Sequence, residues 1–394
     1  LLQFICLFLL ILTLLMCIID ISQGISMQEE IDMGTHNKKF QYIYDDLKMK
    51  IEGRLLLPES KLPSESELMI QYGVTRYTAR KALEHLETDG LIIKHQGKGC
   101  FIRPQAIPLS YTTHSRQILL IASRAEHFYF LKSINGIEQA LQDGGYTLTI
   151  KLSNYNPVTE AALLKEAFQN DYAGILLFPS DSAYIYTNQF LYRYIESNHI
   201  PCITLGNVLP FVNIPSVGND DYAGGKMAGE YLIHQGHRSF VSLMNQEEYS
   251  GCMRYAGFVE AINYADVPIA FESVIWFGHK EKESIFQAPN NARILELAKK
   301  ATSFFCFNDS AAVNLYQLLT SEGYRIPEDI SIIGHDDSYL CETNPVPLTS
   351  LHQDPHLIGY TAAKNLLHLI DDPSYECSKV FQPYLVERNS VKKI

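Results

Sequence analysis

Two places in this chain set polar side chains where apolar runs end. Asn308-Asp309 follows FFCF, and His335-Asp336-Asp337 follows ISIIG. A carboxylate or carboxamide at such an edge can accept from and donate to vicinal hydroxyls, and an aromatic ring can cover the apolar face of a sugar. The plainer reading is that Asn308 and Asp336 cap the turns or helices that follow them. A third place is basic. Arg76, Tyr77, Arg80 and Lys81 share the first turns of one helical pattern with Thr75, and such a turn can reach phosphates and base edges from a major groove. No G-x-S-x-G elbow, G-x-x-x-x-G-K-[ST] loop or H-E-x-x-H pair is present. Eight cysteines, at 6, 17, 100, 202, 252, 306, 341 and 377, have no C-x-x-C spacing and read as packing residues in a reducing compartment. No catalytic residue, metal or cofactor is expected.

The basic turn needs a scaffold, and the surrounding residues supply one. Ser64 and Glu67 have capping-box spacing, Leu68, Met69 and Tyr72 share a face, and Gly73 stops that helix. The next helix opens at Thr75 and buries Ala79, Ala82, Leu83 and Leu86. An ordinary pair of helices with a solvated basic face would read alike. The residues after Gly90 argue against that, because Leu91 to Lys94 and Cys100 to Ile102 are β-like runs around a turn with two glycines, Gly97 and Gly99. Helix-turn-helix plus a Gly-tipped hairpin is a winged helix.

The strand-end pairs need a different scaffold. From Ile118 the chain repeats a βα rhythm: ILLIA, TLTIKL, GILLF and IPCITL, then FVSLM, FESVIW, FFCF and ISIIG, separated by helical stretches. Among these, helices are read after Asp220 up to His234, from Arg254, up to Lys300 and up to Ser321. Short apolar runs between such helices imply parallel sheets covered on both faces. Two doubly wound lobes with a cleft between them fit the number of strands, and such sheets bind ligands beyond the carboxyl ends of their strands.

Length allows two or three domains. Of 394 residues, 46% are hydrophobic and the net charge is −12. Residues 38–104 hold 12 Lys and Arg against 9 Asp and Glu, whereas 117–394 hold 19 against 31. The basic balance therefore sits where nucleic-acid contact is inferred. Residues 1–26 open with an apolar run, LLQFICLFLLILTLLMCII, without the basic flank or cleavage tripeptide of a secretory signal. Two readings survive, an over-extended start and a membrane anchor, and the first is preferred, with a working start at Met27 or Met33. The expected domains are 38–104, a linker at 105–116, and 117–394.

Resemblance sharpens this reading. Residues 38–104, with LPSESELMIQYGVTRYTARKALEHLETDGLI and HQGKGCFIRP, resemble the winged-helix domain of GntR-type bacterial transcription regulators. That resemblance implies DNA contact at Lys39, Ser64, Glu65, Thr75, Arg76, Thr78, Arg80, Gln96, Gly97 and Lys98, with Tyr77 where some relatives carry a polar reader. Residues 117–394, with SVGNDDYAGGKMAGEYLIHQGHRSFVSL, RYAGFVEAI, CFNDSAAV, IPEDISIIGHDDS and LTSLHQDPHLIGYTAAKNLL, resemble the effector domain of LacI/GalR-type repressors, itself similar to periplasmic sugar-binding proteins. This implies ligand contacts at Arg254, Asn308 and Asp336, at Tyr129 and Phe130, and at Asp220 before the YAGG helix. GHDD replaces the commoner GYDD.

The expected fold is therefore α/β, an N-terminal winged helix-turn-helix followed by a two-lobed periplasmic-binding-protein-like domain of doubly wound parallel sheets. A GntR-type head on such a body, with EKES at 281–284, resembles the arabinose-repressor family. It implies a cytoplasmic homodimeric repressor on double-stranded operator DNA, released by a small sugar, L-arabinose. A sugar-binding transport component and a membrane-tethered sugar sensor are the competing readings.

Overall fold

The structure, a computed structural model, describes residues 36–52, 56, 59–95, 98–103, 115–123, 128–184, 188–206, 208–209, 212–266 and 268–394. The apolar leader, most of the 105–116 linker, Gln96 and Gly97 lie outside the described residues. Two compact units result. One takes the described residues up to Lys48 with Glu59–Arg103, and the other takes Met49–Pro58 with Pro104–Ile394.

The first unit is a winged helix. Its helices span His36–Glu52, Glu65–Tyr72 and Arg76–Thr88, and the wing pairs β1 (Ile92–His95) antiparallel with β2 (Gly99–Ile102). The capping box forms as read: Ser64 Oγ accepts from Glu67 N–H, while Glu67 Oε2 accepts from Ser64 N–H at 2.7 Å. Gly73 ends that helix at φ 59°, a left-handed position that glycine occupies without strain. Leu68, Ala79, Ala82, Leu86 and Ile92 are all at 0% exposure and form the core of the unit.

The second unit has two lobes, each with a six-stranded sheet. Lobe one contains β3 (Gln117–Ala122), β4 (Thr147–Leu152), β5 (Gly174–Leu177), β6 (Cys202–Leu205), β7 (Ser216–Asn219) and β13 (Lys379–Phe381), in the order β13-β7-β6-β5-β3-β4 and parallel throughout. Alternate residues of β3 enter different cores. Ile118, Leu120 and Ala122 pack under the helices Phe128–Gly144 and Pro355–Asp371, whereas Leu119 and Ile121 pack under Pro157–Gln169 and Gln189–Ser197. Burial on both faces explains why these strands read as unbroken apolar runs.

Lobe two contains β8 (Ser239–Asn245), β9 (Phe271–Phe277), β10 (Ser303–Cys306), β11 (Ser331–Asp336), β12 (Thr349–His352) and β14 (Tyr384–Val386), in the order β14-β12-β11-β10-β8-β9. Only β14 among these runs antiparallel to its neighbour. The chain crosses between lobes three times, after β7, after β12 and after β13. Sequence rhythm does not disclose β7, β12, β13 or β14, because β13 and β14 have only three residues each and the four residues of β7 and β12 are largely polar or glycine. Two helix boundaries also shift. The helix read from Arg254 begins at Tyr249, and the one ending near Lys300 spans Ala292–Ala298 after a 3₁₀ turn at Ser284–Phe286.

Candidate functional site

The head presents a basic face. Thr75 caps the helix Arg76–Thr88, accepting from Thr78 N–H at 3.4 Å, and Arg76, Tyr77 and Arg80 are exposed along its outer side. Arg80 is held by Glu65 in a two-pronged pair of 2.9 and 3.1 Å, while Arg76 lies 3.6 Å from the same carboxylate. Those guanidinium groups keep the Glu65 carboxyl below the usual range, Arg80 contributing most. Ser64 and Lys98 are exposed, and Lys39 is half-buried. Thr78 requires a correction. It is 2% exposed, because positions 78, 79, 82, 83 and 86 form the inward stripe of the helix, and its hydroxyl lies 2.9 Å from that of Thr75. Thr78 completes the cap and core instead of facing DNA.

In the second unit, a cavity of about 190 Å³ lies between the lobes, at the carboxyl ends of both sheets. Tyr129, Phe130 and Phe178 line it from lobe one, and Asn245, Glu248, Arg254, Phe277, Phe307, Asn308 and Asp336 line it from lobe two. Five of the six residues expected at the ligand are thus brought together. Asp220 is not among them. Its carboxylate accepts from Ala223 N–H as the cap of Asp221–His234 and from Gln382 Nε2 at 3.3 Å, so the acid in the pocket wall is its neighbour Asp221.

Two glycines set the position of Arg254. A Cβ on Gly225 would lie 1.8 Å from the Arg254 carbonyl, and one on Gly257 would lie 1.9 Å from the Tyr222 carbonyl. Bare backbone at both positions lets the helices Asp221–His234 and Tyr249–Asn263 cross in contact, which brings Arg254 Nε to 2.8 Å from Asp221 Oδ1. Arg254 also donates to the Phe307 carbonyl, lies over the Phe307 ring at 4.9 Å and stands 3.9 Å from Asp336 Oδ1. Burial opposes this charge, and Asp221 and Asp336 more than offset it, so the guanidinium stays protonated.

Asn308 serves both readings of its type. Its Oδ1 accepts from Ala311 N–H at 2.9 Å as a helix cap, and the residue still lines the cavity, where its amide N–H groups are of the type that donates to a hydroxyl. Asp336 is not a cap. The turn after it is held by Asp309, whose carboxylate accepts from Ser338 N–H at 2.7 Å, while Asp336 accepts from Gln353 Nε2. His335, the departure from GYDD, is wholly buried with Nδ1 at 3.3 Å from Asp336 Oδ1. Burial and the nearby Arg254 lower its pKa, which favours the neutral ring.

Glu248 shares the cavity, and burial pushes its carboxyl up to about 7 against an ordinary 4.5. A carboxyl raised on folding binds more protons folded than unfolded between those values, so its contribution to stability falls as pH rises from about 4.5 to about 7. Glu248→Gln is therefore expected to exceed the wild type in stability at pH 8, by up to roughly 3 kcal/mol, and to match it near pH 4.5. Denaturant unfolding at the two pH values checks this, and equal offsets at both would be the contrary result.

Residues 39–102 match the bacterial regulatory proteins of the gntR family, and residues 230–391 match the periplasmic binding protein-like domain. An arabinose metabolism transcriptional repressor from Geobacillus stearothermophilus is 29% identical over 348 residues, 86% of this chain and 93% of that protein. The HTH-type transcriptional repressor PurR of Vibrio atlanticus is 30% identical over 295 residues, 74% of this chain and 86% of its own. The chain belongs to the LacI-type transcriptional repressors. A LacI family regulator from Enterococcus faecalis V583, solved with bound ribose, superposes with a TM-score of 0.61 at 27% identity, covering 71% of this repressor and 99% of that chain. The repressor joins a GntR-type DNA-binding head to a LacI-type effector domain, and regulators of this kind bind small-molecule effectors and are not enzymes. Among the described residues no helix is long and apolar enough to cross a membrane.

Several pocket residues escape a reading of the sequence of this repressor. Asp221 differs from the expected Asp220 by one position, and only helix capping distinguishes them. Asn219, the last residue of β7, and Gln353, just after β12, lie within the segments SVGNDD and LTSLHQD, but nothing in those segments marks either residue for the pocket. Tyr155 and His279 stack across the cleft, ring centroids 3.7 Å apart at 21°, though they are 124 residues apart in sequence.

Proposed function

We propose that this repressor senses a neutral sugar, L-arabinose, in the interlobe cavity and leaves its operator when the sugar binds. The observation that carries the reading is the Asp221–Arg254–Asp336 cluster at the floor of an aromatic-walled cavity. Carboxylates accept from vicinal hydroxyls, the guanidinium and the Asn308 amide donate, and the rings cover C–H faces. Around the cavity Asp221, Glu248, Glu283 and Asp336 outnumber Arg254 and Lys282, which disfavours a phosphorylated sugar. The arabinose repressors among the relatives support the choice of pentose. The repressor acts as a cytoplasmic homodimer, two heads reading two half-sites about one helical turn apart or a multiple of it. Calorimetric titration of pentoses, hexoses and their phosphates, followed by operator release, tests the reading. Binding of a sugar phosphate in preference to L-arabinose would refute it.

In the head, Lys39, Ser64, Thr75, Arg76, Arg80 and Lys98 contact DNA, joined by Gln96 and Gly97 from the sequence resemblance, and Glu65 orients the two arginines. Arg80→Ala is expected to weaken operator binding about 10- to 100-fold at matched salt, by loss of a two-pronged base contact. Sugar binding should not change. Operator affinity equal to wild type in a gel-shift titration would remove Arg80 from the interface.

A further inference from the structure

The lobes also touch at the rim of the cavity. Ala183 N–H donates to the Glu247 carbonyl at 3.2 Å, and Tyr249 N–H donates to Ser182 Oγ at 3.0 Å, so the segment after β5 meets the segment after β8. Charge opposes this meeting. Asp181 comes from the first segment and Glu247 from the second, and burial, Glu247 and Glu160 together push the Asp181 carboxyl up to about 6. Among the described residues no side chain donates to that carboxylate or pairs with it as a cation. Two acids set together from opposite lobes leave a place for a cation.

The third member of the group is an imidazole. His279 follows β9 with its side chain 8% exposed, and its Nε2 lies 3.8 Å from Glu247 Oε2, which also accepts from His279 N–H at 2.6 Å. The other ring nitrogen, Nδ1, lies 3.7 Å from Glu248 Oε1 and 3.4 Å from Asn245 Nδ2. Asn245 Nδ2 is itself 3.5 Å from Glu248 Oε1, so both can donate to that carboxylate and leave Nε2 without a proton. A carboxylate behind the far ring nitrogen is the arrangement that orients a metal-bound histidine. One ligand atom from each of Asp181, Glu247 and His279 lies within 4.8 Å of the other two. A triangle of that edge has its centre about 2.8 Å from each corner, so the side chains must close by up to about 0.7 Å to reach Zn–N and Zn–O lengths.

We propose that Asp181, Glu247 and His279 form a site for Zn²⁺, or a transition-metal ion of its kind, that clasps the two lobes at the rim of the cavity. One imidazole with two carboxylates suits such an ion better than Mg²⁺ or Ca²⁺, which take oxygen ligands. Three protein ligands leave a fourth position for water. The ion cancels the repulsion between Asp181 and Glu247 and makes closure of the cleft dependent on metal. Neither acid lines the cavity, so the clasp does not rest on which molecule fills it.

Zinc sulfate titrated into the untagged full chain, freed of metal beforehand by a chelator, tests the site without any sugar. Wild type should bind one Zn²⁺ per chain in calorimetry, unchanged by excess Mg²⁺. Asp181→Asn and Glu247→Gln keep shape and hydrogen-bonding capacity, so both should fold, as thermal unfolding will read, yet each should weaken Zn²⁺ binding about tenfold or more. Co²⁺ in place of Zn²⁺ should give d–d bands with no thiolate-to-cobalt band, since the half-buried Cys100 and Cys252 take no part. Hydrogen exchange reads the clasp itself. Zn²⁺ should slow exchange of the Ala183 and Tyr249 amides about 5- to 150-fold in wild type and leave it unchanged in Asp181→Asn. No Zn²⁺ binding, equal binding by wild type and both variants, a thiolate band, or binding that leaves those amides unprotected would each overturn the proposal. Failure of the sugar reading would leave all of these readouts as they are.

Discussion

Asp336→Ala is expected to hold operator with wild-type affinity and to resist release by L-arabinose. Asp336 is the last residue of β11, 5% exposed, and its carboxylate faces Arg254, His335 and Gln353. A hydrogen bond to a charged group contributes about 1.5–3 kcal/mol, so losing one shared with a sugar hydroxyl weakens binding roughly 10- to 150-fold. The fold should tolerate the change. Arg254 keeps Asp221 at 2.8 Å, and Asp309, not Asp336, holds the next turn. The backbone offers a further control, because Asp336 has φ 114°, a region costly for any residue with a Cβ. Asp336→Gly should therefore be equally uninducible but more stable than Asp336→Ala, as read by thermal unfolding. Release of Asp336→Ala at the wild-type sugar concentration would return the residue to a structural role.

Legibility in the sequence obeys a physical division. Strands buried on both faces announce themselves through runs such as ILLIA and FVSLM, and caps through pairs such as Ser64 and Glu67. The recognition helix is legible because its inward stripe and its exposed arginines alternate at helical spacing. Thr78, expected at DNA through the resemblance alone, belongs by position to the inward stripe, where it is 2% exposed. The pocket is legible where a residue ends a strand, as Asn308 and Asp336 do. It is not legible where two distant segments meet. Tyr155 and His279, or Asn219 and Gln353, become neighbours only through the crossovers, and those depend on β13 joining lobe one from near the end of the chain. Asp220 and Asp221 show the limit within a single motif: adjacent acids, one turned to cap its helix and the other to Arg254.

Arg254→Met is expected to be the most destabilising of these substitutions, and its cost should depend on pH. Methionine replaces much of the stem but removes the charge, which leaves the buried Asp221 and Asp336 and the raised carboxyl of Glu248 around one cavity with no guanidinium among them. Removing one partner of a buried ion pair costs about 3–5 kcal/mol, mostly from the charge left behind. The sign with pH comes from Glu248. Its carboxyl stands at about 7 even with Arg254 pulling it down, so without Arg254 it rises further. The folded variant then binds more protons than the unfolded chain from about pH 4.5 to beyond 7, and its stability falls as pH rises across that window. Denaturant unfolding should therefore show a deficit of about 3–5 kcal/mol at pH 8 that narrows as pH falls through about 7, because below that pH Glu248 is protonated in the folded state of both proteins. Sugar binding should be lost across this range, because protonation restores the fold's charge balance but not the donor. A deficit independent of pH would mean that Arg254 acts through packing over Phe307 and its bond to the carbonyl there, with the carboxylates already accommodated by their other partners.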